Sequence, residues 1–388
     1  MADSNRLHSI NTSRILRAIW LNPGVSRIKV AEMLDLDRST VTKIMQVILD
    51  RGLVVTAGKN TEQSGVGRRQ INLRVNEDVG VVLGLEIQDA RYVAVVSTIS
   101  GKVLHTLGGM KAVRKETLAS HILGIVARAR EFISCEGLFL LGVGIGLPGI
   151  IDPYTGTIIR SNSFKIEEPF VLRDLLEEGC GVPVFVENDA NCCCWSELAF
   201  CTENRSRNFV AVLGEFRDTV PEVVGCHGFA IGLGLAIRQR VLHGDHFTAG
   251  DFRTVPADRT TGQFRVPYRD LERLPEDKKI LRAVYRELTE SLAFLVNCVD
   301  CTKIVFAGDF ESHPENLKEL MESAIVNNWI YDLERSFIIE FSKYGKNAVS
   351  VGAAGLFVEK LFSVPDVADR FQELVGYDLF EHILKLKG

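Results

Sequence analysis

The sequence predicts an α+β chain of several domains: a small winged helix-turn-helix head, then a larger body of two related α/β lobes. Three observations predict it. Apolar residues in the head recur at the helical period and then switch to alternation. Strand-like apolar runs alternate with helical stretches in the body. Charge divides between the two parts. The 388 residues exceed what one ordinary core accommodates, and 46% hydrophobic with 24% charged content is globular. Residues 1–75 hold 12 Lys and Arg against 6 Asp and Glu, a balance of +6; the remainder carries −11, for a net −5. A basic head on an acidic body turns only the head toward a polyanion.

In the head, residues 11–21 form a first helix with Ile15, Leu16, Ile19 and Trp20 inward, ended by Asn22-Pro23-Gly24. Ser26 caps a second helix, in which Ala31 and Leu34 pack back. After the polar break Asp35-Leu36-Asp37 comes a third helix. Its Val41, Ile44, Met45, Ile48 and Leu49 make one apolar stripe. Asp37 is its N-cap and Gly52 its C-terminal stop. The other face shows Arg38, Ser39, Thr40, Thr42, Lys43 and Gln46. Such a face suits a DNA major groove, although it would also suit the surface of a helical hairpin. The period then changes to two. Residues 53–55 and 70–75 read as strands flanking a Gly-rich wing, with Arg68 and Arg69 at its base, placed for phosphates or a minor groove. Together these favour DNA contact by Arg38, Ser39, Thr40, Lys43, Gln46, Arg68 and Arg69. One head covers one half-site, which implies a homodimer or higher homo-oligomer.

In the body, residues 80–87, 91–98 and 102–107 read as an antiparallel meander, followed by a helix over 116–132 and a buried strand over 139–145. The turn Gly146-Leu147-Pro148-Gly149 comes next. A strand over 182–186 runs into Glu187-Asn188-Asp189 and a helix from Ala190. The theme recurs with strands over 208–214 and 228–237, a helix over 277–298 and a strand over 304–306. Two related lobes around a cleft follow. The opening MADSNRLHSI lacks the apolar stretch of a signal peptide, and no run approaches the roughly 18 apolar residues of a membrane span. Nine cysteines without regular spacing read as reduced thiols. These features predict a cytoplasmic protein without membrane attachment.

The ordered motifs resemble the ROK family of repressors, open reading frames and sugar kinases, over nearly the whole chain. DRSTVTKIMQVILDRGLVV and SGVGRRQ look like the head of its repressor branch. GVGIGLPGIIDPYTG, VFVENDAN and HGDHFTAGDF look like its body. The resemblance implies an actin-like, ribonuclease-H-like sugar-kinase fold. The expected division is a head over 1–76 and lobes over 77–190 and 191–388, with C-terminal helices packing back on the first lobe.

By the same resemblance, Asp189 matches the family's catalytic base and Asn188 its sugar-binding neighbour, though both could equally serve as a helix N-cap. The family's first phosphate turn corresponds to Glu86, Ile87, Gln88, Asp89 and Ala90, without glycine and with an added carboxylate. Its second corresponds to Gly228-Phe229-Ala230-Ile231-Gly232, and its adenosine-side glycines to Ala307-Gly308-Asp309. These losses argue against ATP-dependent catalysis. Asp251 replaces a glutamate and Thr254 a histidine, and the zinc loop is absent, so neither metal nor cofactor is expected. Cys192-Cys193-Cys194 read as small buried hydrophobes, and His243 and His246 as a polar loop. The expectation is a repressor of carbohydrate-related genes with operator DNA as partner. Its sugar or sugar-derivative effector would sit at Pro148, Gly149, Asn188, Asp189 and Asp251. Its rivals are a bifunctional sugar kinase with a DNA-binding head, and a regulator whose body docks a protein instead of a sugar.

Overall fold

The computed structural model describes residues 2–57, 72–201, 206–217, 228–257, 262–331, 335–365 and 374–387. Arg68, Arg69 and the wing loop lie outside the described residues.

The head packs three helices, Ala2–Leu21, Arg27–Leu34 and Arg38–Asp50. Behind them lies a three-stranded sheet in which Asn72–Val75 pairs with both Val54–Ala57 and Val25–Ser26. The first helix begins well before residue 11, and Ser9 and Thr12 add buried positions to the stripe of Ile15, Leu16 and Ile19. Ser26 caps the second helix by accepting from Lys29 N, and Asp37 caps the third by accepting from Ser39 N and Thr40 N. The third helix ends as its glycine requires. Gly52 sits at φ +67°, its N–H donates to Leu49 O, and Leu53 N–H donates to Ile48 O at 2.9 Å. That is a Schellman stop.

Two five-stranded sheets form the body. The first runs Val184–Asn188, Leu140–Leu147, Val81–Ile87, Arg91–Thr98, Val103–Met110; the second runs Arg240–Val241, Gly228–Ile237, Phe209–Arg217, Lys303–Gly308, Ile338–Phe341. In both, a parallel portion continues into an antiparallel one. Two helices lie between the sheets. Asp189–Phe200 packs on the second sheet, Ala348–Leu361 on the first, and the two pack on each other.

Glycine makes this contact possible. A Cβ on Gly352 would lie 1.8 Å from Cys192 O, and one on Gly144 would lie 1.8 Å from Ala353 O. Backbone meets backbone there, so only small residues fit nearby. Cys192, Cys193 and Cys194 are buried in this seam, and burial pushes the Cys192 and Cys193 thiols well above their ordinary range. They fill space as small hydrophobes do.

One feature was not foreseen. The last helix, Gly376–Lys387, clasps the head. Ser13 Oγ accepts from Tyr377 N at 2.9 Å and Ser9 Oγ donates to Asp378 at 2.7 Å. Arg51 pairs with Glu381 at 2.6 Å, while Arg17 pairs with Glu359 at 2.6 Å. Trp20 stacks on Phe362 at 4.9 Å. The head's core and the seam between the sheets form one continuous apolar cluster. Among the described residues, no helix is long and apolar enough to cross a membrane.

Candidate nucleic-acid face and ligand cleft

The third helix buries Val41, Ile44, Met45 and Ile48 and turns Arg38, Ser39, Lys43 and Gln46 to solvent, with Thr40 half-buried. The face is partly preorganised by local bonds. Thr42 Oγ1 donates to Arg38 O at 2.7 Å, the Ser39 hydroxyl donates to Asp37, and Gln46 Nε2 donates to Asp50 at 2.7 Å. Arg51, at the helix's C-terminal end, carries the ion pair to the last helix. The face is thereby mechanically connected to the body.

The cleft between the sheets holds a cavity of about 330 Å³, within the roughly 300–1,000 Å³ range of small-molecule sites. Pro148, Gly149, Asn188, Asp189 and Asp251 all line it. Gly149 has φ +134°, and a Cβ there would lie 2.4 Å from Arg160 O, so glycine is needed for the wall to close. Asn188 does two things at once. Its Oδ1 caps the helix by accepting from Ala190 N and Asn191 N, and its Nδ2 donates to Gly149 O at 3.0 Å. Capping and wall-building are thus compatible, not alternatives. Burial raises the Asp251 carboxyl above its ordinary value.

Further lining residues were not anticipated: Arg160, Asn162, Ser163, Glu215 and Gln263. Gln263 is fully committed to the wall. Its Oε1 accepts from Ile231 N at 2.9 Å, and its Nε2 donates to Ile231 O and Phe252 O. Thr254 lies beside it, donating to Gln263 O at 3.0 Å.

His243 is more than a loop residue. Its Nε2 lies 2.8 Å from Glu187 Oε2. Glu187 is fully buried and also accepts from Asn188 N, Asn191 and Trp195. Burial alone would raise this carboxyl; the His243 ring and these donors more than offset it and hold it below its ordinary value. The pair pins the segment after Val241 to the strand that carries Asn188. Among the described residues, no group of three or more His, Cys, Asp or Glu could hold a metal ion.

At the residues where the resemblance expects the phosphate turns, charged side chains pair with one another. Arg91 reaches Glu86 at 3.2 Å and Glu215 at 3.1 Å. Its Nε also donates to Gln88 Oε1 at 2.8 Å, and Gln88 Nε2 donates to both carboxylates. Glu86 stands on the first sheet and Glu215 on the second, so this network bridges the lobes. Burial, reinforced by Glu215, pushes the Glu86 carboxyl up to about 8 against the opposing pull of Arg91. A small cavity of about 10 Å³ lies beside Gly308 and Asp309. Phe229 is buried and stacks on Phe216 at 4.7 Å.

Residues 82–261 match the model described as ROK family. The chain is 26% identical over 253 residues to a protein named xylose repressor from Caldicellulosiruptor bescii, covering 65% of this chain and 59% of that relative's length. It is 23% identical over 402 residues to the xylose repressor of Bacillus spizizenii, covering 94% of this chain and 99% of that one. The crystal structure of a ROK family transcriptional regulator, a homologue of the E. coli MLC protein, superposes with a TM-score of 0.74 at 17% identity, over 99% of this chain and 100% of that one. Head and two-lobed body therefore share its fold.

Proposed function

We propose, from the match of residues 82–261 to the ROK family model, that this chain belongs to that family and is a transcriptional repressor whose body senses a sugar without phosphorylating it. The observation that carries this reading is the contrast within one cleft. The sugar side stays open at about 330 Å³, while the phosphate side is filled by Glu86, Arg91 and Glu215. A nucleotide triphosphate would have to displace the buried network of Glu86, Arg91 and Glu215. A sugar meets no such obstacle.

The proposed parts are a head over 1–76 and lobes over 77–190 and 191–388. Arg38, Ser39, Thr40, Lys43 and Gln46 would meet DNA, together with Arg68 and Arg69 of the wing. Pro148, Gly149, Asn188, Asp189 and Asp251 would meet the effector. A sugar can regulate only by binding the DNA-competent and DNA-incompetent arrangements with different affinity. The last helix is the element placed to relay that difference, because it touches both the head and the body. The names of the relatives support a sugar-linked repressor; half-site geometry adds to the proposal a homodimer or higher homo-oligomer, working in the cytoplasm.

The test is selection of bound sequences from a random DNA pool with full-length protein, repeated with a panel of sugars. Enrichment of a two-half-site operator whose recovery one sugar changes is expected. No enriched sequence under any condition would overturn the reading. The Asp189 carboxylate keeps a kinase alternative open to experiment, and sugar-dependent ADP release abolished by Asp189→Asn would establish it.

A further inference from the structure

We propose that the sugar taken by this cleft carries an anionic substituent, a carboxylate or a phosphate, and that Arg160 holds it. This inference rests on the sensor reading above and narrows its ligand class.

Among the described residues lining the 330 Å³ cavity, Arg160 is the one cationic residue, and it is exposed. It belongs to the strand Thr157–Arg160, which pairs with Ile150–Asp152. Its backbone is braced against the cavity wall. The Arg160 carbonyl abuts Gly149, and the next residue, Ser161, donates to Pro148 O at 2.6 Å. A flexible side chain therefore springs from a fixed base at the rim. Asn162 and Ser163 follow it on the same loop, adding neutral donors.

The cavity's charged residues come from different elements. Asp189 and Asp251 lie on other elements than Arg160, the helix Asp189–Phe200 and the segment after Gly250. The nearby Glu215 is already held by Arg91. Asp189 and Asp251 suit hydroxyl donors, which every sugar offers. Arg160 forms no ion pair among the described residues, and a neutral sugar gives its planar fork no charged partner. Carboxylate or phosphate matches that fork bidentately. The two aspartates would repel the same anion, which fixes the ligand's orientation: hydroxyls toward Asp189 and Asp251, anion toward Arg160.

The experiment is isothermal titration of the full-length protein with matched sets: glucose, glucuronate and glucose 6-phosphate, then xylose and galactose with galacturonate. One anionic sugar should bind about ten- to a hundredfold more tightly than its neutral parent. The carboxylate and phosphate arms identify which anion it is. Arg160→Gln should bring that sugar down to the affinity of its parent, and Arg160→Lys should recover part of the difference. Equal or tighter binding of the neutral parent, or an anion preference untouched by Arg160→Gln, would overturn the proposal while leaving the sensor reading intact. No binding by any sugar would sink both.

Discussion

Removing the guanidinium of Arg91 tests the buried network that joins the two sheets. In Arg91→Ala, Glu86 and Glu215 lose their shared cation while staying buried, at 2% and 4% side-chain exposure. Breaking a buried pair on one side costs about 3–5 kcal/mol. Arg91 is itself 34% exposed, so water reaches the gap and the lower figure, about 3 kcal/mol, is expected. The loss should depend on pH. Burial and the nearby Glu215 already push Glu86 up to about 8, and without the cation the Glu86 carboxyl is driven further toward the neutral form. At pH 5.5 protonation relieves the repulsion; at pH 8 it cannot do so fully. Urea unfolding followed by tryptophan fluorescence at the two pH values measures this, with Arg91→Ala expected to lose more at pH 8. Adding Glu215→Gln to the variant should restore part of the loss. Wild-type stability at pH 8, or an equal deficit at both values, would refute the account of this network.

The Glu86 carboxyl, raised from 4.5 to about 8, holds a proton in the folded state that the unfolded chain releases. Its contribution is therefore fully present below about pH 4.5 and fades as pH rises toward 8; Glu86→Gln should flatten that decline in pH-dependent unfolding curves. Lys43→Ala should weaken operator binding and reduce the slope of log affinity against log salt by about 0.9 for one lost phosphate contact, as read by fluorescence anisotropy; an unchanged slope counts against phosphate contact there. Gly352→Ala, whose Cβ would lie 1.8 Å from Cys192 O, should cost about 3 kcal/mol or prevent folding, and a cost below about 1 kcal/mol would show that the seam can spread. At the clasp, Trp20→Ala should cost about 3 kcal/mol through its lost stack on Phe362, while Arg51→Ala, an exposed pair, should cost under about 1 kcal/mol; the reverse order in denaturant unfolding would mean that charge rather than packing holds the head.

Local chemistry explains what could be read from the sequence. The third helix was legible because its stripe, its Asp37 cap and its Gly52 stop are all encoded within sixteen or so consecutive residues. The cysteine triplet was legible because consecutive helical positions diverge, which left burial as the simple explanation. The proposed effector residues Pro148, Gly149, Asn188, Asp189 and Asp251 came from resemblance, and they line one cavity. Partnerships across long separations were not legible. Nothing near Arg91 announces Glu215, 124 residues away, and nothing near His243 announces Glu187, 56 residues away. Arg160 was missed because a strand end is an unremarkable place for an arginine until the chain folds it over Gly149. The clasping helix was missed for a related reason: its partners Ser9, Ser13 and Arg51 lie more than 300 residues upstream.

The decisive measurement is operator affinity of the full-length protein, titrated by anisotropy with its effector sugar, with and without Mg-ATP, alongside an assay of ADP release. A sugar-dependent change in affinity of about fivefold or more, unaltered by ATP and without ADP release, is expected. Sugar-stimulated ADP release, or DNA affinity indifferent to every sugar that binds the cleft, would contradict it.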